Sequence, residues 1–187
     1  MPRFRRVLFL SLAVLLTLPG VAGSGAAAQT PPAGGPSPQF TVSGAVERET
    51  TLTLADLRAL PVQTMTMETR TRAGSQRFAE YRGVLLKDVL DMAKVRVNPA
   101  VRNGALSRSI TVTGSDGYRA TFAWGKIDPD FGAQAVLVAY EMNGAPLSDR
   151  DGAFEIVVPW DKLAGRWVKN IVGITVNEPS LRTQSPQ

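Results

Sequence analysis

The sequence contains no cysteine and no histidine among its 187 residues. Zinc, haem and iron–sulfur centres depend on thiolate and imidazole ligands, so the sequence argues against all three. Disulfides cannot form, and a catalytic triad has no imidazole to carry its proton. No glycine-rich phosphate-binding motif opens a helix. The chemistry that remains belongs to carboxylates, arginines and aromatic rings, which are suited to binding flat polar ligands.

The first 28 residues have the three zones of a secretory signal peptide. Arg3, Arg5 and Arg6 form a basic start, an apolar run covers residues 7–18, and small residues lead up to Ala28. A retained membrane anchor is disfavoured, because proline and glycine interrupt the run before it reaches membrane length. We predict cleavage after Ala28, a periplasmic or secreted protein, and no membrane insertion after cleavage.

Charge gives little indication of a macromolecular partner. The three arginines of the signal peptide are the only charges in residues 1–28, and their removal lowers the formal net charge from +5 to +2. The remaining chain carries no block of lysines and arginines. Since nucleic-acid binding requires a concentrated basic surface, we expect no nucleic-acid partner.

The chain after the signal peptide is predicted to hold one domain. Residues 29–39 are rich in proline and glycine and predict a flexible leader. Residues 40–177 have the length and patterning of a single folded domain. Residues 178–187 form a polar tail.

Periodicity predicts more strands than helices. A helix is predicted at 54–60, between the capping residue Thr53 and Pro61, and another at 85–93. Strands are predicted at 40–46, 62–69, 110–113, 118–122, 135–142, 154–158 and 167–176. The turn sequence 114–117 joins two of these strands into a hairpin. The fold class is therefore α+β, strand-rich with few short helices.

The order of short motifs resembles one known family. Its members carry segments like Arg82-Gly83-Val84-Leu85-Leu86, Ser115-Asp116-Gly117-Tyr118, Asn143-Gly144-Ala145-Pro146-Leu147 and the long run 157–169. Residues 40–176 resemble the molybdopterin-binding domain of the sulfite oxidase family, in its small stand-alone exported form. The resemblance implies a mixed-sheet α+β fold with a polar cleft that holds a pterin cofactor.

One feature of that family is missing from the chain. The resemblance implies that the cysteine that ligates molybdenum falls within residues 65–71, which here contain only methionine, threonine, glutamate and arginine. A hydroxyl or a carboxylate does not replace this soft thiolate, so we expect no molybdenum and assign no catalytic or metal-binding residue. The resemblance also implies basic contacts to a cofactor phosphate near Asp151, where Asp151 and Glu155 bring negative charge instead.

The candidate ligand-binding residues come mainly from the segment after residue 158. A flat heterocycle needs an aromatic plate, a carboxylate for its amino and amide groups, and a donor for its carbonyl. Trp160, Asp161 and Arg166 supply these three types. Arg166 is preferred over Lys169 because its guanidinium is a planar fork of donors, and on a strand the two residues would face opposite sides.

Three more residues are candidates for the wall of the cleft. Glu68 and Arg70 share one face of a strand, and the Tyr118 hydroxyl is placed to reach a pocket rim. Each candidate has an ordinary alternative. Glu68 and Arg70 would also form a plain surface ion pair, Asp161 a turn contact, and Tyr118 a packing contact. Trp167 begins an apolar run and is interpreted as a core residue.

The resemblance and the missing thiolate together favour a binding protein over an enzyme, although whether the chain is an enzyme stays open. The first hypothesis is an exported protein that holds a pterin-like or molybdopterin-like planar ligand and signals through a membrane-bound partner. The alternative is a molybdopterin-dependent oxidoreductase with a non-cysteine metal site, in which Glu68 or Thr69 ligates the metal. A purely structural role is the third reading.

Overall fold

The computed structural model describes residues 36–70, 76–98 and 100–178, and for residues 69, 70, 76 and 77 it describes the backbone alone. The predicted signal peptide and residues 179–187 of the predicted tail lie outside the described residues. Over the described ranges, no helix is both long enough and apolar enough to cross a membrane.

The described residues form ten strands, three short α-helices and two 3-10 turns. In chain order they are β1 (Gln39–Gly44), β2 (Thr50–Thr53), α1 (Leu54–Arg58), β3 (Val62–Arg70), β4 (Gln76–Leu85), α2 (Leu86–Ala93), a 3-10 turn (Gly104–Ser107), β5 (Ser109–Gly114), β6 (Arg119–Ala123), α3 (Trp124–Ile127), β7 (Leu137–Met142), β8 (Ala145–Pro146), β9 (Glu155–Val157), a 3-10 turn (Ala164–Arg166) and β10 (Ile171–Asn177).

The first sheet joins the two ends of the domain. Its strand order is β2-β1-β10-β5-β6. Strand β1 runs parallel to β10, with Thr41 opposite Gly173, and the other neighbours are antiparallel. This single parallel pair makes the sheet mixed, as the family resemblance implies.

The second sheet is antiparallel and carries the long hairpin of β3 and β4. Its order is β3-β4-β7-β8, and β9 also pairs with β7. The register shifts between Arg82 and Gly83, where the chain of β7 inserts one extra residue. At this bulge a Cβ atom on Gly83 would lie 2.2 Å from the carbonyl oxygen of Val138, so only glycine fits.

Apolar side chains from both sheets and from α2 meet in one core. Phe40 and Phe154 pack edge to face there, with ring centroids 5.1 Å apart. Helix α2 contributes Leu86, Val89 and Leu90, which are fully buried and recur at helical spacing. The core thus fixes the strand ends from which the loops of the candidate site depart.

Most predicted elements are present with ends that shift by one or two residues. Both predicted helices form, and the Asp56 carboxylate accepts hydrogen bonds from the Thr53 amide and hydroxyl at 2.8 and 2.7 Å, as the capping pattern predicts. The 110–122 hairpin is confirmed as β5 and β6. The strand-rich α+β class with few short helices is therefore confirmed.

The strand predicted at 167–176 is wrong in its first four residues. Strand β10 begins at Ile171, because Asn170 has a left-handed backbone with a φ of 45° and its amide donates to the Asp151 carbonyl at 2.7 Å. Arg166 and Lys169 therefore do not alternate across a strand. Instead Arg166 ends a 3-10 turn, and each residue has its own acidic partner.

Candidate functional site

The loop formed by residues 158–170 lies between the two sheets. On one side the Arg166 guanidinium carbon is 5.2 Å from the centre of the Phe122 ring on β6. On the other side the Trp167 ring meets the Tyr81 ring of β4, with centroids 5.5 Å apart and planes at 86°. The loop therefore connects the edge strand of the first sheet to the second sheet.

Asp161 and Arg166 form a two-point ion pair within this loop. The Arg166 Nε and Nη2 atoms donate to the two Asp161 oxygens at 2.8 and 2.5 Å. The hydrogen bond to Asp161 is the main reason that the pKa of Arg166 is raised. The structure brings these two predicted ligand-binding residues together. Both Asp161 oxygens and two of the Arg166 nitrogens are used in the ion pair.

Trp160 and Tyr118 present their rings to solvent beside this pair. Trp160 is 68% exposed, and Tyr118 is 48% exposed. The Tyr118 hydroxyl donates to the Gly165 carbonyl, which holds the ring against the loop. Four of the predicted site residues thus lie on or against the 158–170 loop.

The other two predicted site residues lie on the β3–β4 hairpin of the second sheet. Glu68 is exposed and stands opposite Phe78 in the register. It lies three residues beyond Met65, the partner of Tyr81, so its Cα is about 10 Å further along the hairpin. For Arg70 the structure describes the backbone, which pairs with that of Gln76, and not the side chain.

Trp167 is a core residue, as interpreted from the sequence, but its ring also carries an unused polar atom. The residue is 9% exposed, and its Nε1 is fully enclosed without a hydrogen-bond acceptor among the described residues. A buried N–H without an acceptor costs about 1–3 kcal/mol. A ligand atom that accepted this hydrogen bond would recover that cost.

Glu155 is the second polar group that the sequence analysis did not select. The residue is 2% exposed, and desolvation by burial raises its pKa to about 7, while the charge of Lys169 acts to lower it and that of Asp151 to raise it. Its oxygens are not among the fully enclosed atoms, so they keep a little contact with solvent. A carboxyl of this kind exists in both protonation states near neutral pH.

A separate ion pair stands beside Glu155. The Lys169 ammonium donates to the Asp151 carboxylate, whose other oxygen accepts from the Ser148 hydroxyl at 2.6 Å. Burial acts to raise the pKa of Asp151, but the hydrogen bonds from Lys169 and Ser148 outweigh it, so the pKa is lowered. Asp151 stays ionised and keeps Lys169 occupied, so this lysine is not a free cation for a phosphate.

One sequence signal points to Glu155 in retrospect. The acid interrupts the apolar run 154–158, where every residue turns out to be buried. A glutamate in a run of this kind is either paired or functional, because an isolated buried charge is costly. Trp167 gives no comparable signal, since its unused N–H depends on which side chains surround it.

The fold is that of the molybdopterin-dependent oxidoreductases related to sulfite oxidase. The chain is similar in structure to the sulfane dehydrogenase SoxCD from Paracoccus pantotrophus, with a TM-score of 0.62 and 22% sequence identity. The match covers 78% of this chain and 39% of the SoxCD chain, so the present chain corresponds to less than half of that protein. At this identity the likeness establishes the fold.

The family follows from the sequence itself. Residues 29–184 match the model of the oxidoreductase molybdopterin binding domain, and the chain belongs to that family. No curated protein gives a significant match.

The family implies a molybdopterin-type cofactor, and the donor set of this chain does not fit its metal. The chain has no thiolate and no imidazole. Over the ranges that the structure describes, no three acidic side chains cluster closely enough to hold a metal ion. The polar groups near the 158–170 loop are instead suited to an organic ligand.

Proposed function

We propose that this protein is an exported binding protein that holds a pterin-like planar heterocycle and reports its presence to a membrane-bound signalling protein. The observation that carries the proposal is the combination of a molybdopterin-family fold with a chain that has no thiolate or imidazole ligand for molybdenum. In this proposal the fold still recognises the organic ring although the chain lacks the thiolate for the metal.

The 158–170 loop supports the binding of a flat ring. It brings an exposed indole at Trp160, a phenol at Tyr118 and the Asp161–Arg166 pair to one region of the surface. Aromatic faces stack on planar heterocycles. The Arg166 N–H groups that do not bond to Asp161 remain as donors for the edge of the ring. Glu68 and Arg70 remain candidates for a more distant part of the wall.

The proposed signalling partner would contact the same loop. Trp160 and Leu163 are 68% and 56% exposed, and large apolar side chains exposed close together are typical of interaction surfaces. A ligand that orders the loop would change how these side chains are presented. The predicted signal peptide supports a location in the periplasm or outside the cell, which would be the same side as the sensor part of a membrane receptor.

Thermal unfolding and intrinsic fluorescence test the proposal. The exported protein is titrated with oxidised and reduced pterins, and we expect a higher melting temperature and a change in tryptophan emission. Adenine and uracil, which lack the combined amino, ring N–H and carbonyl edge of a pterin, serve as planar controls of other classes. An unchanged melting temperature and unchanged emission with every pterin would refute the proposal.

The family match also favours a second candidate, a molybdopterin-dependent oxidoreductase with Glu68 or Thr69 as the metal ligand. Metal analysis of protein purified from its own host separates the two candidates. The binding proposal expects molybdenum far below one atom per chain. Molybdenum near one atom per chain would favour the oxidoreductase.

A further inference from the structure

Glu155 and Tyr81 project from the same face of the second sheet. Glu155 stands opposite Ala139 on β7, and Ala139 stands opposite Gly83 on β4. Directly paired residues of adjacent strands point to one side, and so do residues two apart on a strand, which adds Tyr81. From strand spacings, the Cα atoms of Tyr81 and Glu155 are about 12 Å apart.

The residues between them have almost no side chain. Gly83 and Ala139 separate Tyr81 from Glu155 on this face. Trp167 covers the Tyr81 end of the row through its edge-to-face contact. The row therefore has Tyr81, with the Trp167 ring against it, at one end and Glu155 at the other.

Neither polar end has a partner within the part of the chain that the structure describes. Trp167 Nε1 has no acceptor. The Glu155 carboxyl makes no hydrogen bond or ion pair with a described residue, since Lys169, the nearest cation that influences it, is bonded to Asp151. Two buried polar groups without partners on one face indicate a ligand that supplies an acceptor and one or more donors.

We propose that Glu155 and Trp167 read the polar edge of the bound heterocycle. The Glu155 carboxylate accepts hydrogen bonds from an exocyclic amino group and the adjacent ring N–H, and Trp167 Nε1 donates to a ring nitrogen or carbonyl. This inference rests on the proposed function and moves the edge-reading carboxylate from Asp161, which is already paired with Arg166, to Glu155. The ligand class is a 2-amino-4-oxo heterocycle, of which pterin is the parent.

Two ligands that differ at one group test the role of Glu155. Pterin carries an amino group at position 2, and lumazine carries a carbonyl there. Full exported protein is titrated with each by tryptophan fluorescence, and we expect pterin to bind roughly tenfold or more tightly, because a hydrogen bond to a charged acceptor discriminates by at least that factor. In Glu155→Gln the side-chain amide donates to the lumazine carbonyl, so the preference should reverse.

Matched variants separate this role from general damage. Glu141→Gln makes the same change on β7, on the opposite face of the sheet, where Arg58 and Arg82 pair with the carboxylate at 3.4 and 3.2 Å, and it should keep the pterin preference. Trp167→Phe keeps an aromatic ring but removes the N–H, and it should weaken both ligands by about tenfold without changing their ratio. Trp124→Phe, whose indole already donates to Asp128 at 2.6 Å, should bind both ligands as the native protein does.

The outcomes distinguish this inference from the proposed function. If the native protein binds neither ligand, the proposed function fails and this inference fails with it. If the native protein binds pterin and Glu155→Gln keeps the native ratio, the edge-reading role is wrong while the binding function stands. If Glu155→Gln does not fold, Trp167→Phe decides, and unchanged affinity for both ligands overturns the inference.

Discussion

The perpendicular contact between Trp167 and Tyr81 holds the 158–170 loop to the second sheet. The ring centroids are 5.5 Å apart, and both residues are buried. The loop has a second tryptophan, Trp160, seven residues earlier in the chain, and that ring is mostly exposed. The two indoles therefore have opposite structural roles within one loop.

Replacing these two tryptophans by leucine should have very different effects on stability. Trp167→Leu removes an aromatic pair and leaves a cavity, and we expect it to lower the free energy of unfolding by about 3 kcal/mol. Trp160→Leu should change it by less than about 0.5 kcal/mol, as is usual for exposed positions. Urea denaturation followed by far-ultraviolet circular dichroism measures both. Equal effects would contradict the placement of the loop.

The stability of the protein should depend on pH through Glu155. Its pKa is about 7 in the folded state and near the ordinary 4.5 in the unfolded chain, so the folded state binds more protons between these values. The contribution of Glu155 to the free energy of unfolding is fully present below about pH 4.5. It is lost as the pH rises through 7. The total loss is about 3 kcal/mol.

Glu155→Gln should remove this component of the pH dependence. Urea midpoints measured at pH 5 and pH 8 should show a larger fall for the native protein than for the variant. Glu141→Gln is the control and should fall in parallel with the native protein. Identical slopes for the native protein and Glu155→Gln would show that the carboxyl is not desolvated as described.

Gly83 should tolerate no side chain. A Cβ atom there would lie 2.2 Å from the Val138 carbonyl oxygen and 2.7 Å from the Ala139 Cα, and these are backbone atoms that cannot rotate away. We expect Gly83→Ala to cost about 3 kcal/mol or more. Gly165→Ala is the matched control, since no other atom lies within 4 Å of its added Cβ. A mild effect at Gly83 would argue against the bulge between β4 and β7.

Asn170 should be sensitive for two separable reasons. Its side chain accepts from the Ser37 amide and donates to the Ser115 hydroxyl, at 2.8 and 2.7 Å, and its backbone is left-handed. Asn170→Gly removes the side-chain hydrogen bonds, but glycine adopts the left-handed backbone without strain. Asn170→Ala removes the same hydrogen bonds and also strains the backbone. We expect the alanine variant to be less stable than the glycine variant by about 1 kcal/mol. Thermal unfolding measures the difference, and a more stable alanine variant would contradict the left-handed assignment.

The elements were predictable where local pattern determines them. The amphipathic spacing of α2, the Thr53–Asp56 cap and the turn of the β5–β6 hairpin depend on residues near in sequence, and all three are present. The start of β10 was not predictable in this way. It depends on the Asn170 amide meeting the Asp151 carbonyl, a contact between chain segments that only the assembled fold brings together.

The candidate site shows the same division. Residue type alone placed Trp160, Asp161 and Arg166 in one segment, and the structure keeps them together. Residue type did not indicate that Asp161 and Arg166 would form an ion pair with each other. Nor did it indicate that the Trp167 N–H would lack an acceptor. Whether a polar atom has a partner is decided by packing, so it is read from coordinates and not from composition.

The parallel pairing of β1 with β10 has a consequence for biosynthesis. The first strand of the domain hydrogen bonds with the last, so a nascent chain cannot close its first sheet until β10 has been made. Contacts this distant in sequence also slow the search for the native state. The edge of β1 that pairs with β10 should therefore stay accessible to chaperones until residues 171–177 emerge.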